Sequence, residues 1–144
     1  MSHKGHTDEI NCVKFYIPLV VSGSSDKSVR LWSLADGGVC LRVLHGHEGK
    51  VWSVDIDRNR IVSGGRHGEI RIWSLKEVMD TGDRAPSGEA DGRGLWVHAR
   101  STAVGQIRIY NALLISCDGV GRVVMSDFWN LKKNICGCAN STKK

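Results

Sequence analysis

Three side chains near the amino terminus are of the types that a hydrolase uses for nucleophilic attack: His6, Ser22 and Asp26. In such a site the histidine accepts the serine proton, and the carboxylate holds the histidine in the required tautomer. The histidine and the serine recur 41 residues later, as His47 and Ser63. The elements that position these side chains therefore decide whether they do chemistry.

Metal and redox sites are the other chemistry to consider. The two thiols of Cys136-Gly137-Cys138 lie close together, but a zinc site needs four ligands, and no second pair follows. His45 and His47 could resemble a pair of metal ligands. The repeat accounts for His47, however, because it stands 41 residues after His6. The sequence has no Gly-rich phosphate loop, no nucleophile elbow and no HExxH. We therefore predict that the protein is not an enzyme and that it has no catalytic residue, no bound metal and no cofactor.

A repeat of 41 residues organises the first half of the chain. Four landmarks keep this offset without a gap: Gly5-His6 and Gly46-His47, Ser22 and Ser63, Gly23 and Gly64, and Trp32 and Trp73. A third copy follows at an offset of 53, which carries Val51, Val54, Ile56 and Ser63 onto Val104, Ile107, Ile109 and Ser116. A period of about 40 to 45 residues is typical of propeller blades.

Short apolar runs, bounded by Gly, Ser, Asp or Asn, alternate through each unit as β-strands do. We predict an all-β fold in which each unit is an antiparallel sheet of four strands, a to d, with no helical spacing. The pair His67-Gly68 suits a hairpin turn with a positive φ. The segment 76–93, rich in Gly and charge, predicts an exposed loop between strands c and d.

Composition places the chain among folded proteins. It is 41% hydrophobic and 24% charged, with neither a membrane-length apolar run nor a signal peptide. We therefore expect an intracellular setting, cytoplasmic or nuclear. Five cysteines are an odd number, which argues against a disulfide framework. Four of the lysines behind the net charge of +5 lie in the last thirteen residues.

The residues Gly5-His6, Ser22-Gly23, Asp26 and Trp32 resemble the signature of a WD40 repeat. The resemblance implies a buried hydrogen-bonded network that braces each blade and does no chemistry. Its expected members are His6, Ser22, Asp26, Trp32, His47, Ser63 and Trp73. In the second unit His67 stands at the Asp position, so we expect the anchoring acceptor of His47 to be missing and His67→Asp to stabilise the protein.

The expected organisation is an incomplete, open propeller of about three blades. Its parts are a tail (1–4), repeat 1 (5–45), repeat 2 (46–98) with the long loop 76–93, a degenerate repeat 3 (99–129) and a basic tail (130–144). In repeat 3, Val120, Ser126 and Ala99-Arg100 replace the Asp, the Trp and the Gly-His pair. Because propellers close with about four to eight blades, we expect a fragment or short isoform of a larger propeller, open to self-association through its blade edges.

Three functions stay open. The first is a non-catalytic scaffold that binds proteins or peptides, with candidate contact residues Asn11, Ser25, Trp52, Arg66 and His67. The second is substrate recognition in a ubiquitin ligase, because SGSSDKSVRLW and the short a–b linkers look like F-box-type WD40 receptors; only Arg66 matches their arginines. The third is RNA or DNA association through the Lys-rich tail, although such a charge run is more often a solvated polar tail. No membrane partner is expected.

Overall fold

The structure is a computed structural model that describes residues 5–80, 89–90, 95–98 and 102–128. The two predicted tails, most of the predicted loop 76–93 and the pair Ala99-Arg100 lie outside the described residues. Within this part of the chain, no helix is long and apolar enough to cross a membrane.

Blade 1 is an antiparallel sheet in which consecutive strands are neighbours. Its β-branched and apolar runs alternate between the two faces of the sheet, as the period of a strand requires. The backbone of a two-residue strand, β8, adds to the outer edge of this sheet in parallel with its fourth strand. The strands are β1 (Ile10–Tyr16), β2 (Leu19–Ser24), β3 (Val29–Ser33), β4 (Val39–Leu44) and β8 (Glu89–Ala90).

Blade 2 repeats this sheet one period later along the chain. The turn between its second and third strands contains Gly68 at φ +78°, and Lys27 and Gly121 take φ values of +69° and +82° at the matching positions. The predicted positive-φ turn is therefore confirmed at Gly68. The strands are β5 (Val51–Ile56), β6 (Arg60–Gly65), β7 (Glu69–Ser74) and β9 (Leu95–His98).

Blade 3 has three antiparallel strands within the described residues. They are β10 (Val104–Tyr110), β11 (Leu113–Asp118) and β12 (Val123–Asp127). Together the sheets form an open all-β array of propeller blades, as the repeat predicts.

A β-bulge occurs at the same place in the first strand of every blade. The pairing register shifts between Ile10 and Cys12, between Val51 and Ser53, and between Val104 and Gln106. The offsets of 41 and 53 residues therefore relate the three strands without a slip. A bulge redirects one side chain and increases the local twist, so the bulged positions, Asn11, Trp52 and Gly105, correspond to one another.

The start of the predicted loop 76–93 is instead a short helix, α1 (Leu75–Asp80). Ser74 is the N-cap, since its hydroxyl accepts the Glu77 amide at 3.4 Å, and Ser-Leu-Lys-Glu has the spacing of a capping box. Val78 is buried against the core between blades 1 and 2. The prediction of a loop is therefore wrong for residues 76–80, although four of these five residues are exposed, as predicted. In blade 1 the matching Ser33 and Asp36 close a tight turn instead, because Gly37 and Gly38 follow.

The core consists of two apolar clusters, one on each side of blade 2. The first joins strands of blades 1 and 2, and the second joins blades 2 and 3. Gly23 and Gly64 lie where side chains from the first strand of the next blade pack against the second strand. A Cβ on Gly23 would lie 2.6 Å from Val51 Cγ1, and one on Gly64 would lie 2.5 Å from Ile107 Cδ1. These glycines therefore set the distance between blades.

We expect Gly64→Ala to lower the free energy of unfolding by about 1–3 kcal/mol, the usual cost of overpacking. Gly119→Ala is the matched control, because a Cβ there meets nothing within 4 Å; we expect no loss of stability. Urea unfolding of both variants measures the difference. Equal stability of Gly64→Ala and wild type would show that the blades are not in close contact at this point.

Candidate functional site

The structure brings together the four residues of the polar network expected in blade 1. His6 Nδ1 donates to Asp26 Oδ2 at 2.8 Å, and the Ser22 hydroxyl donates to His6 Nε2 at 2.7 Å. Trp32 Nε1 donates to Ser22 Oγ at 2.9 Å. Because the carboxylate only accepts hydrogen bonds, Nδ1 must be the donor in the contact with Asp26, and Nε2 of the neutral ring is then the acceptor for Ser22. The network links the d–a loop, β2, the b–c turn and β3.

Two residues that the sequence analysis did not name also hold Asp26. The Ser28 hydroxyl and amide donate to Oδ1 at 2.6 Å and 2.9 Å, and the Thr7 amide donates to Oδ2 at 3.0 Å. Partial burial would raise the pKa of Asp26, but these donors and His6 lower it far below its ordinary value. Asp26 is therefore ionised in the folded protein.

Blade 2 has the same relay, but its carboxylate comes from a different residue. Ser63 Oγ lies 2.7 Å from His47 Nε2 and 3.0 Å from Trp73 Nε1, as in blade 1. Glu69 Oε2 lies 3.3 Å from His47 Nδ1. The prediction that no negative charge faces His47 is therefore wrong.

Glu69 lies two positions further along the chain than the missing aspartate. It can replace that aspartate because its side chain is one methylene longer. It occupies the position of Ser28, 41 residues on, where Ser28 Oγ approaches His6 Nδ1 in blade 1. The amide of Glu48, which matches that of Thr7, donates to Glu69 Oε1 at 2.9 Å. The same two partners, a ring nitrogen and the amide after the histidine, thus meet a carboxylate in both blades.

The contacts of Glu69 with neighbouring side chains in blade 2 are longer than the contact between His6 and Asp26 in blade 1. Glu69 Oε2 lies 3.3 Å from His47 Nδ1 and 3.5 Å from Arg71 Nε, and none of these three atoms makes a well-aligned hydrogen bond. These contacts are electrostatic attractions in a buried setting. Burial would raise the pKa of Glu69, but His47, the amides of Glu48 and Gly49, and Arg71 lower it.

The Gly-His pairs have a steric reason for their glycine. A Cβ on Gly5 would lie 2.3 Å from the Trp32 ring, and one on Gly46 would lie 2.7 Å from the Arg71 guanidinium. Gly46 also has φ +144°, a region that side chains disfavour. The loop before each first strand can therefore pass under a large side chain of strand c.

The serines in these networks are not arranged for catalysis. Ser22 is 3% exposed and Ser63 is fully buried. Each hydroxyl accepts the tryptophan N–H and contacts the histidine ring. A substrate carbonyl has no path to either oxygen, so this geometry braces the blade.

The five candidate contact residues separate into two groups. Asn11 Nδ2 donates to Ser25 Oγ at 3.1 Å and to the Val51 carbonyl at 2.9 Å, and Ser25 is buried. Ser25 is therefore used within the fold, and Asn11, although exposed, uses its side-chain amide to tie blade 1 to blade 2. Trp52 is 42% exposed, and Arg66 and His67 are exposed.

Trp52, Arg66 and His67, which we call the Trp52 surface, lie at one end of blade 2. Val51 pairs with Gly65, and the Arg66 amide donates to the Lys50 carbonyl at 3.0 Å, so the bulged Trp52 and the turn residues are close. The His67 ring packs over Gly49. The bulge explains why a tryptophan flanked by buried residues points outward.

Blade 3, for which the sequence predicts no histidine relay, holds its b–c turn through Asp118. Asp118 accepts the Thr102 hydroxyl at 3.2 Å and the amides of Val120 and Arg122 at 3.1 and 2.9 Å. The Arg122 amide contributes most to lowering the pKa of Asp118. Among the described residues, no three His, Cys, Asp or Glu side chains gather as a metal site. Cys136 and Cys138 lie outside these residues.

We expect Glu69→Ser to lower the free energy of unfolding by about 1.5–3 kcal/mol, because the hydrogen bonds to a charged group are lost. His67→Asp alone adds a second carboxylate near Glu69 and should no longer stabilise the protein. The double variant reproduces the Asp26 and Ser28 pair of blade 1, so it should be more stable than Glu69→Ser. The control is Glu48→Ala, an exposed side chain. If the effects of the two changes on the free energy of unfolding were additive, this would contradict the idea that one carboxylate can replace the other.

We also expect a pH dependence from His47. Burial lowers its pKa to about 4, although Glu69 opposes this shift; Arg71 adds to it. In the unfolded chain the pKa of the histidine is about 6.5. Between about pH 4 and pH 6.5 the unfolded chain therefore binds more protons than the folded chain. Stability should therefore fall as the pH falls, by up to about 1.4 kcal/mol per pH unit. Urea unfolding at pH 7, 6 and 5 should show a smaller dependence in His47→Asn; equal slopes would exclude His47 as the cause.

Comparisons with known proteins agree with this geometry. The family model described as "WD domain, G-beta repeat" (WD40) matches residues 1–33 and 38–74. Cell division control protein 4 of Candida albicans is 37% identical over 82 residues, which are 52% of this chain and 12% of that protein. Cell division control protein 4 of Saccharomyces cerevisiae is 27% identical over 129 residues, 83% of this chain and 16% of that protein.

A third relative is small ribosomal subunit protein RACK1y of Oryza sativa subsp. japonica, 38% identical over 80 residues, 51% of this chain and 24% of that protein. The chain thus spans at most about a quarter of these relatives. The crystal structure of the computationally designed Ika4 protein superposes with a TM-score of 0.70 at 24% identity, covering 87% of this chain and 69% of that one. This likeness concerns the fold alone. The chain therefore contains WD40 repeats, residues 1–33 and 38–74, in a partial, open β-propeller.

Proposed function

We propose that the chain is a non-catalytic protein-interaction scaffold that binds its partner at the Trp52 surface. The observation that carries the proposal is the bulge in β5, which turns Trp52 outward beside Arg66 and His67. Tryptophan and arginine are the types most enriched among the residues that dominate binding energy. Trp52 lies in a strand between two buried residues. Little conformational entropy is therefore lost when the surface is held in place for binding.

The chemistry of the Trp52 surface favours a protein segment with an apolar anchor and acidic flanks. The indole offers a large apolar contact with one N–H donor. Arg66 supplies a positive charge that pairs with a carboxylate in two parallel hydrogen bonds. One arginine does not make a phosphate pocket, so we do not assign phosphopeptide binding to this surface.

Neither alternative function has an observation that favours it. The likeness to F-box-type receptors gains no support from the comparisons, and Asn11 and Ser25, at the positions of the receptor arginines, are engaged within the fold. The Lys-rich tail, on which nucleic-acid binding would depend, lies outside the described residues. An intracellular location, cytoplasmic or nuclear, stays a proposal.

We expect Trp52→Ala and Arg66→Glu each to weaken partner binding about tenfold or more, because both remove an anchor from the same contact. Affinity capture with wild type and both variants, followed by titration of the captured partner, measures the loss. Arg58→Glu is the matched control: it makes the same charge change in the same blade, but in the exposed a–b turn at the opposite end of the strands.

Retention of the partner by Trp52→Ala and Arg66→Glu, with affinity equal to that of Arg58→Glu, would contradict the proposed surface. Thermal unfolding of the three variants should give similar midpoints, since all three side chains are exposed. A loss of binding with unchanged stability is therefore a loss of contact.

A further inference from the structure

Blade 3 continues the Trp52 surface as bare backbone. The repeat places Gly105 at the position of Trp52, and Gly119 at the position of Arg66. Both glycines are exposed. A Cβ on Gly119 would meet nothing within 4 Å, and one on Gly105 would lie 3.6 Å from the Cys117 carbonyl oxygen. We call these two residues the glycine floor, because exposed peptide groups there take the place of side chains.

The glycine floor lies directly beside Trp52, across the junction between blades 2 and 3. A Cβ on Gly64 would lie 2.7 Å from Cγ1 of Val104, the residue that precedes Gly105. Gly64 is in turn the strand partner of Ser53, which follows Trp52. A segment that contacts the indole can therefore continue over the start of β10.

The glycine floor belongs to the end of the blades and not to a face between blades. Blade 2 has a neighbour on each side, and its residues at these two positions, Trp52 and Arg66, are nevertheless exposed. A further blade packed beside blade 3 would therefore leave Gly105 and Gly119 accessible in the same way.

The turn of blade 3 also offers a hydrogen-bond donor. In blades 1 and 2 the amides of Ser25 and Arg66 donate to the carbonyls of Glu9 and Lys50, at 2.8 and 3.0 Å. In the part of the chain that the structure describes, the matching amide of Gly119 meets no acceptor. Since a glycine lets another backbone approach closely, this N–H can donate to a carbonyl oxygen of a bound segment.

Charge favours blade 3 over blade 1 as the path of an acidic segment. Asp8 and Glu9 are exposed just before the first strand of blade 1, whereas the matching residues of blade 3, Thr102 and Ala103, are uncharged. Asp118 does bring a negative charge to the turn of blade 3, but its oxygens accept the Thr102 hydroxyl and two backbone amides. An acidic segment therefore meets less repulsion over blade 3.

We propose that the partner of the Trp52 surface is an extended acidic segment that places an apolar anchor on Trp52 and continues across Gly105 to the amide of Gly119. The inference rests on the proposed function and adds to it the direction of the bound chain. Over the glycine floor the contact is with backbone, so this part of the segment is recognised by its extended shape and less by its side chains.

The probe is a displayed library of short random peptides, selected on the wild-type chain and depleted on Trp52→Ala. The enriched peptides should combine an apolar residue with Asp or Glu. One of them, labelled with fluorescein, is then titrated by fluorescence anisotropy. We expect Gly105→Leu and Gly119→Leu each to weaken its binding about tenfold or more, because the leucine fills the path of the peptide. The matched control is Glu9→Leu, which puts the same side chain on blade 1 and should not weaken binding.

A second readout on the wild-type chain does not depend on how the variants fold. In amide NMR spectra the Gly119 signal should move on addition of the peptide, together with the Trp52 indole signal. The Gly37 amide, which donates to the Leu34 carbonyl in the c–d turn of blade 1, should not move. The two leucine variants should keep the unfolding midpoint of wild type, because neither glycine has a left-handed φ or a close neighbour.

The possible failures of the two proposals are distinguishable. Wild-type affinity in both glycine variants, or a Gly119 signal that stays in place while the Trp52 signal moves, would overturn the path over blade 3 and leave the Trp52 surface standing. Weaker binding by Glu9→Leu than by the glycine variants would place the segment over blade 1. A library without any peptide that depends on Trp52 would overturn the proposed function and this inference with it.

Discussion

A buried carboxylate facing a histidine ring is the interaction on which each of the first two blades depends. In blade 1 it is Asp26 in the b–c turn, and in blade 2 it is Glu69 at the start of β7. Both accept the backbone amide that follows the histidine. The constraint is therefore the position of a negative charge relative to a ring nitrogen and an amide, and the residue that supplies the charge can change. A buried charge needs such partners, because desolvation without them costs several kcal/mol.

Packing between the blades adds a second constraint, one of space. The bulge in each first strand, and the glycine near the end of the second strand in blades 1 and 2, let neighbouring sheets approach closely. Side-chain oxygens of β5 then accept backbone amides of the next blade: Ser53 Oγ accepts Ile107 N at 2.9 Å, and Asp55 Oδ2 accepts Ile109 N at 2.8 Å. The bulge thus shapes both the core and the surface, since it also turns Trp52 outward.

The repeat and its alternating apolar pattern predict the strands, the b–c turns and the order of the blades, because these depend on local sequence. Other features depend on tertiary contacts. Glu69 could not be found by comparing one aligned position at a time, since the carboxylate moved two residues along the chain. The engagement of Asn11 depends on the Val51 carbonyl of the neighbouring blade, a contact that the sequence does not display. The start of helix α1 could have been predicted, because Ser74 and Glu77 have capping-box spacing. A helix of six residues is, however, too short to show a clear apolar period.

Helix α1 belongs to the chain of blade 2, yet it contacts blade 1 as well. Arg42 Nε of β4 donates to the Val78 carbonyl at 3.1 Å, and Val78 lies in the cluster between the two sheets. The backbone of β8, further along the same connection, pairs with β4. In repeat proteins, cooperativity depends on such contacts between neighbours. Blades 1 and 2 are therefore joined by two contacts in addition to the packing of their sheets, and they should open as a single unit.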